Sequence, residues 1–284
     1  NAPDSISRAK YSAMRERAIG IGVLGFHTYL QQNNIPFECA IAKSRNMQIF
    51  SNMRTMLDKA NYELGQERGN CPDYDEGMDI YDIEQSVKEK SFKRFSHVLS
   101  IAPTASTSII MGNISPSIEP IRANAYRQDT MSGSHLNKNH VLDEVIQKKV
   151  AENPKLSYDD LWMDIITNDG SIQHMDVFSE DEKLVFKTAM EIDQRWVVEL
   201  ASDRQQHIDQ TQSVNLFFRP DVHIKYLHAI HYMAWKAKLP TLYYCRSDSL
   251  KKADKVSKQI ERQIIEEINL QDLIDGEDCI ACHS

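Results

Sequence analysis

His97-Val98-Leu99-Ser100-Ile101-Ala102-Pro103-Thr104-Ala105-Ser106-Thr107-Ser108 is the stretch from which the rest of the chain is read. Its first six residues form a short apolar run with the length and composition of a buried strand. Pro103 ends the run, because a proline cannot donate to a sheet ladder. The residues that follow are all small or hydroxyl-bearing. Small side chains let a ligand approach the backbone, and free N–H groups with hydroxyls bind anions, above all where a helix begins. The same residues also make an ordinary cap or hydroxyl-rich turn, so the stretch alone leaves both readings open.

Working outward, Gln212-Ser213-Val214-Asn215-Leu216-Phe217-Phe218 reads as a second strand, stopped by Arg219-Pro220, and Thr241 to Cys245 as a third. Helical periodicity predicts helices over 8–32 (Ile19, Val23, Phe26, Leu30), 43–68, 139–152, 157–167, 180–204 and 221–238. Gly69 stops the second of these, a polar turn covers 73–77, and a charged helical stretch runs to about Lys93. Residues 111–138 read as a long irregular segment, of a length that tends to be functional. From Lys251 the chain is highly charged, with an Ile260, Ile264, Ile268 stripe, and then passes into an acidic tail. Strands separated by helices predict an α/β protein, although three strands are too few for a complete sheet or barrel.

The chain has 284 residues, enough for a sizeable core in one or two domains. Hydrophobic residues at 41% and charged residues at 26% are those of an ordinary globular protein. With 33 Lys and Arg against 41 Asp and Glu, the net charge is −8. That balance argues against a protein that coats nucleic acid. No apolar run approaches the roughly 20 residues of a membrane span, and no signal-peptide pattern opens the chain. A cytoplasmic protein without nucleic-acid or membrane partners is therefore expected. The chain opens at Asn1 rather than Met, as the downstream piece of something larger would.

Four further motifs carry possible chemistry. Gly20-Ile21-Gly22-Val23-Leu24-Gly25 matches a dinucleotide fingerprint, but that reading needs a strand before the first glycine. The preceding residues are helical in pattern, so close approach of a neighbouring helix explains the glycines better. Tyr243-Tyr244 sits in a strand, where adjacent side chains face opposite ways, and tyrosine carries an oxidisable phenol. His223, His228 and His231 share one helix without completing a metal site, so no metal is expected. Of five cysteines, Cys279 and Cys282 form a C-x-x-C pair at the end of the acidic tail. The pair is either half of a zinc site or a mobile dithiol for exchange, and its position favours exchange.

Taken together these features resemble the large subunit of class I ribonucleotide reductase, over the C-terminal part of that family's sequence. The matching blocks are Arg17-Ala18-Ile19-Gly20-Ile21-Gly22-Val23, Ala102-Pro103-Thr104-Ala105-Ser106-Thr107, Ser117-Ile118-Glu119-Pro120, Asp209-Gln210-Thr211-Gln212-Ser213-Val214-Asn215, Thr241-Leu242-Tyr243-Tyr244 and Cys279-Ile280-Ala281-Cys282. They occur in the family's order.

The resemblance implies a fold and a set of roles. Residues 1–250 would form the C-terminal half of a ten-stranded α/β barrel, and 251–284 a charged helix with a flexible redox tail. Pro103, Thr104, Ala105, Ser106 and Thr107 would hold the phosphates of a ribonucleoside diphosphate. Tyr243 and Tyr244 would relay a radical from the metal site of the small (beta) subunit, and Cys279 and Cys282 would be the shuttle reduced by thioredoxin or glutaredoxin. The helix over 221–238 resembles the region that receives the small subunit's C-terminal peptide. The family's thiyl-forming cysteine, its catalytic Asn and Glu, its active-site cysteine pair and its effector-binding regions lie upstream and have no counterpart here. A phage-like split gene or an incomplete sequence is thus expected, with an N-terminal part as partner and no cofactor bound by this chain. The alternative is a stand-alone thiol-exchange or binding protein without reductase activity.

Overall fold

The computed structural model describes residues 4–74, 92–130 and 133–247. The expected charged stretch up to residue 91, the boundary at 250/251 and the tail with Cys279 and Cys282 lie outside them. In chain order the elements are α1 (Ser7–Glu16), α2 (Phe26–Gln32), α3 (Ala40–Arg68), α4 (Ala105–Ile110), β1 (Ala125–Thr130), β2 (Gly133–Lys138), α5 (His140–Glu152), α6 (Tyr158–Thr167), α7 (Glu180–Val185), α8 (Gln194–Gln205), β3 (Leu216–Phe218), α9 (Ile224–Lys236) and β4 (Cys245–Ser247). The chain divides into two compact units. One holds Asn1–Gly22, Met47–Ala102 and Arg204–Gln212, and the other Val23–Asn46, Pro103–Asp203 and Ser213–Ser284.

In the first unit the 97–102 run is extended, as its sequence predicts, and parallel bridges flank it. Leu99 pairs with Ile21 and Ile101 with Gln212. The N–H groups of Ile19 and Ile21 donate to His97 and Val98, and that of Ile101 to Thr211. These bonds overturn the expected helix over 8–32. α1 stops at Glu16, where Arg17 takes a left-handed conformation (φ 51°) and closes the last turn on Ala13. The chain from Ile19 to Ile21 then runs as a strand edge. The glycines do permit a close approach, but of this neighbouring extended run rather than a helix. A Cβ at Gly22 would collide with the Ser100 carbonyl oxygen.

Asp209 pins the central run by accepting from the N–H groups of Val98 and Leu99 while pairing with Arg54. Burial pushes its carboxyl up, but the Arg54 guanidinium and the two N–H donors outweigh this and hold it below the usual range.

The second unit is built round Leu142, Ile146, Trp162, Ile165, Ile172, Val185 and Phe186. Local caps set its helices where the sequence predicts them. Asn139 caps α5, Ser157 caps α6, and Ser179 with Glu182 forms a capping box on α7. The expected helix over 180–204 is broken between α7 and α8. There the Thr188 N–H donates to Glu191 and the Asp193 N–H to Glu38, contacts that hold a non-helical backbone. The segment expected to be irregular contains an antiparallel hairpin, β1 with β2. β3 and β4 run parallel, with Leu216 opposite Cys245. The third strand thus begins at Cys245, four residues later than Thr241.

Candidate functional site

Thr104 to Thr107 lead into α4, which begins at Ala105. Among the described residues, the N–H groups of Ala105, Ser106 and Thr107 have no protein acceptor, as expected of a first helical turn. The Ser108 N–H returns to the Thr104 carbonyl, and the Ser108 hydroxyl to Ala105, which closes the turn from behind. Pro103, Ala105, Ser106 and Thr107 are exposed and Thr104 is half-buried. The turn therefore presents unpaired donors to an open side, the arrangement an anion needs.

Thr104 ties this turn to the second cluster. Its hydroxyl oxygen accepts from the Ser117 N–H at 2.7 Å, and Ser117 takes the left-handed conformation (φ 49°). Two residues on, Glu119 is buried, and its carboxylate accepts from the Asn215 amide at 2.7 Å. The Asn215 oxygen in turn accepts from the Tyr244 N–H at 3.1 Å. The turn and the tyrosine pair are thus the ends of one path through Ser117, Glu119 and Asn215. Burial raises the Glu119 carboxyl above its ordinary value; the Asn215 hydrogen bond and the Arg246 charge oppose the shift without cancelling it.

Tyr243 and Tyr244 are brought together, with ring centres 4.2 Å apart and planes at 56°. Each is half exposed. Alternation should send neighbouring strand residues to opposite faces. Here the pair precedes β4, where the Tyr243 N–H donates to Val214 and the Tyr244 carbonyl accepts from Leu216, and the rings meet outside the ladder. A hydrogen bond that the Tyr243 hydroxyl donates to Tyr244, with that group's charge, raises the Tyr243 phenol, while Arg246 pulls it the other way. Arg246 lies over the Tyr244 ring, 4.9 Å from its centre.

The three helix histidines have separate tasks. His223 caps α9, His228 stacks on Tyr232, and His231 bonds the Leu227 carbonyl and stacks on Phe218. Of the described cysteines, Cys39 bonds Pro36 and Ala42 at the start of α3, Cys71 is buried, and Cys245 is exposed beside Tyr244. Cys279 and Cys282 lie outside the described residues.

Glu119 and Asn215 fall within the motif blocks, where no sequence pattern assigns either a role. A lone acid between Pro116 and Pro120, in a segment otherwise without charge, was the available signal for Glu119. Arg246 had none.

A family model described as ribonucleotide reductase, barrel domain, matches residues 2–245. The chain belongs to that family. It is similar to the ribonucleoside-diphosphate reductase large subunit of Invertebrate iridescent virus 6, with 49% identity over 90% of this chain and 25% of that protein. The large subunit of Invertebrate iridescent virus 3 is 45% identical over 90% of this chain and 38% of its own length. Among solved structures, the Actinobacillus ureae class Id ribonucleotide reductase alpha subunit matches with a TM-score of 0.71 and 34% identity, over 87% of this chain and 42% of that one. The chain thus spans between a quarter and under a half of these relatives. Its parallel pairings, separated by helices, are those of a partial reductase barrel, and no closed barrel forms among the described residues.

Proposed function

We propose that this chain supplies part of the active centre of a ribonucleoside-diphosphate reductase, which converts ribonucleoside diphosphates to deoxyribonucleoside diphosphates by radical chemistry. The Pro103–Thr107 turn holds the substrate's phosphates on the free N–H groups of Ala105, Ser106 and Thr107. Tyr243 and Tyr244 pass a hydrogen atom, one proton with one electron, toward the substrate side. Cys279 and Cys282 return electrons from thioredoxin or glutaredoxin by disulfide exchange. The thiyl-forming cysteine, the catalytic Asn and Glu, and the effector sites come from the remainder of the large subunit. The radical comes from the small subunit, whose C-terminal peptide docks on α9 where Ile224, Leu227 and His228 line a groove of about 450 Å³. The reaction takes place in the cytoplasm.

The observation that carries this reading is the close tyrosine pair, ring centres 4.2 Å apart, joined through Asn215 and Glu119 to the Pro103–Thr107 turn. The test assembles the chain with the rest of the large subunit and the small subunit, then measures reduction of a ribonucleoside diphosphate. Tyr243→Phe and Tyr244→Phe should each abolish turnover, because phenylalanine has no O–H bond to exchange, and leave substrate affinity intact. Turnover retained in either variant would remove the relay role. No turnover from competent partners with the unaltered chain would instead favour the stand-alone thiol-exchange protein.

A further inference from the structure

Arg246 lies beside the tyrosine pair, and neither the sequence blocks nor the proposed relay gives it a task. It stands two residues after Tyr244 in an extended segment, so the two side chains share a side of the chain. Its guanidinium sits 4.9 Å from the centre of the Tyr244 ring. Among the described residues it makes no carboxylate ion pair, and its field reaches Glu119 and Tyr243. An exposed arginine normally points into water. This one lies on an aromatic face, where its planar group stacks and its charge meets the ring's negative π cloud.

We propose that Arg246 is a positioning residue for hydrogen transfer between Tyr243 and Tyr244: stacked on the Tyr244 ring, it fixes that ring against Tyr243 and couples the proton to the electron. The inference rests on the relay reading above. In the step it serves, the O–H bond of Tyr243 breaks and one forms on Tyr244, so Tyr244–O• with Tyr243–OH becomes Tyr244–OH with Tyr243–O•. One proton and one electron move, and no net charge is created. The oxidant that first makes the Tyr244 radical is a protein radical delivered to this chain. A fixed positive charge disfavours the path in which the electron leaves first, because that path passes through a cationic phenol next to a guanidinium. It leaves the neutral transfer unopposed. Stacking supplies the second half of the role, since the two rings meet outside the sheet ladder and each is half exposed.

The test compares Arg246→Gln and Arg246→Lys with the unaltered chain by two measurements. The first places 3-fluorotyrosine at position 243 of the full chain and follows its titration by fluorine NMR. Removal of the charge in Arg246→Gln should move that titration up by about half a unit, and Arg246→Lys should leave it in place. The second measures kcat and KM in the assembled enzyme. Arg246→Gln should lower kcat about tenfold at unchanged KM through loss of ring alignment, and Arg246→Lys should restore part of it. A titration at 243 that does not move in Arg246→Gln, or a kcat that does not fall, overturns the inference. Failure of the relay reading is separately visible, as turnover retained in Tyr243→Phe.

Discussion

Both ends of the Asn215 amide are engaged, and with different kinds of partner. Its nitrogen donates to a buried carboxylate, Glu119, and its oxygen accepts from the Tyr244 backbone. Only an amide at this position can do both, since a carboxylate there could not donate and would set a second negative charge beside Glu119. Asn215→Ala should leave the Tyr244 N–H without its acceptor and Glu119 without its donor. Unsatisfied buried polar groups cost about 1–3 kcal/mol each, so a loss of about 2 kcal/mol is expected in urea unfolding. A loss below a few tenths would show that solvent replaces both bonds. The same variant should slow turnover in the assembled enzyme, because the Tyr244 backbone is no longer fixed. The strand around Asn215 was legible from Val214, Leu216, Phe217 and Phe218 alone. Its role was not, because the Glu119 partner lies 96 residues earlier in sequence, and no local pattern joins them.

The strand edge at Ile19–Ile21 was misread, for a physical reason that can be tested. Ile19, Val23, Phe26 and Leu30 have helical spacing, yet the N–H groups of Ile19 and Ile21 find acceptors on the 97–101 run. Two glycines decide in favour of the sheet, because they let that run approach more closely than any side chain allows. The two differ in what a methyl group would meet. At Gly20 it would strike the Ser100 side chain, which can rotate, whereas at Gly22 it would strike the Ser100 carbonyl, which is held in the ladder. Gly22→Ala should therefore cost about 2–3 kcal/mol and Gly20→Ala about 1 kcal/mol. Ser100→Ala should rescue the second and leave the first unimproved. Equal costs, or rescue of both, would mean that the run shifts as a whole. Elements with self-contained signals were read correctly, as for α5 and α6 with Asn139 and Ser157 at their caps. The break between α7 and α8 depends on Glu38, about 150 positions away, and was invisible to periodicity.

At the scale of the molecule, barrel membership was legible from the five motif blocks between Arg17 and Tyr244, because each is a strand edge or a turn that a barrel must place. What periodicity cannot show is which buried groups set the stability of the assembled parts. His27 on α2 is fully buried and set edge-on to Phe37, and its Nδ1 accepts from the Ile121 N–H at 2.8 Å. Burial lowers its pKa from 6.5 to about 3, with only partial opposition from the Val185 carbonyl. The neutral ring is thus required in the folded state. Between those two values the unfolded chain takes up a proton that the folded chain refuses, so stability is complete above pH 6.5 and falls as the pH drops. At pH 5 the loss is about 2 kcal/mol. Two other groups act in different windows. Asp209, held low, loses its contribution only as the pH falls below the ordinary carboxylate range. Glu119, held high, acts in the opposite direction, since its ionised form weakens the fold at higher pH and acid relieves it. Comparison with His27→Gln separates the histidine from both, because glutamine keeps an acceptor for Ile121 and does not titrate. Urea midpoints measured from pH 7 to pH 5 should fall more steeply in the unaltered chain than in His27→Gln, by an amount equivalent to about 2 kcal/mol. Parallel slopes would mean that the folded state accommodates the imidazolium, and that the burial of His27 yields to water on protonation.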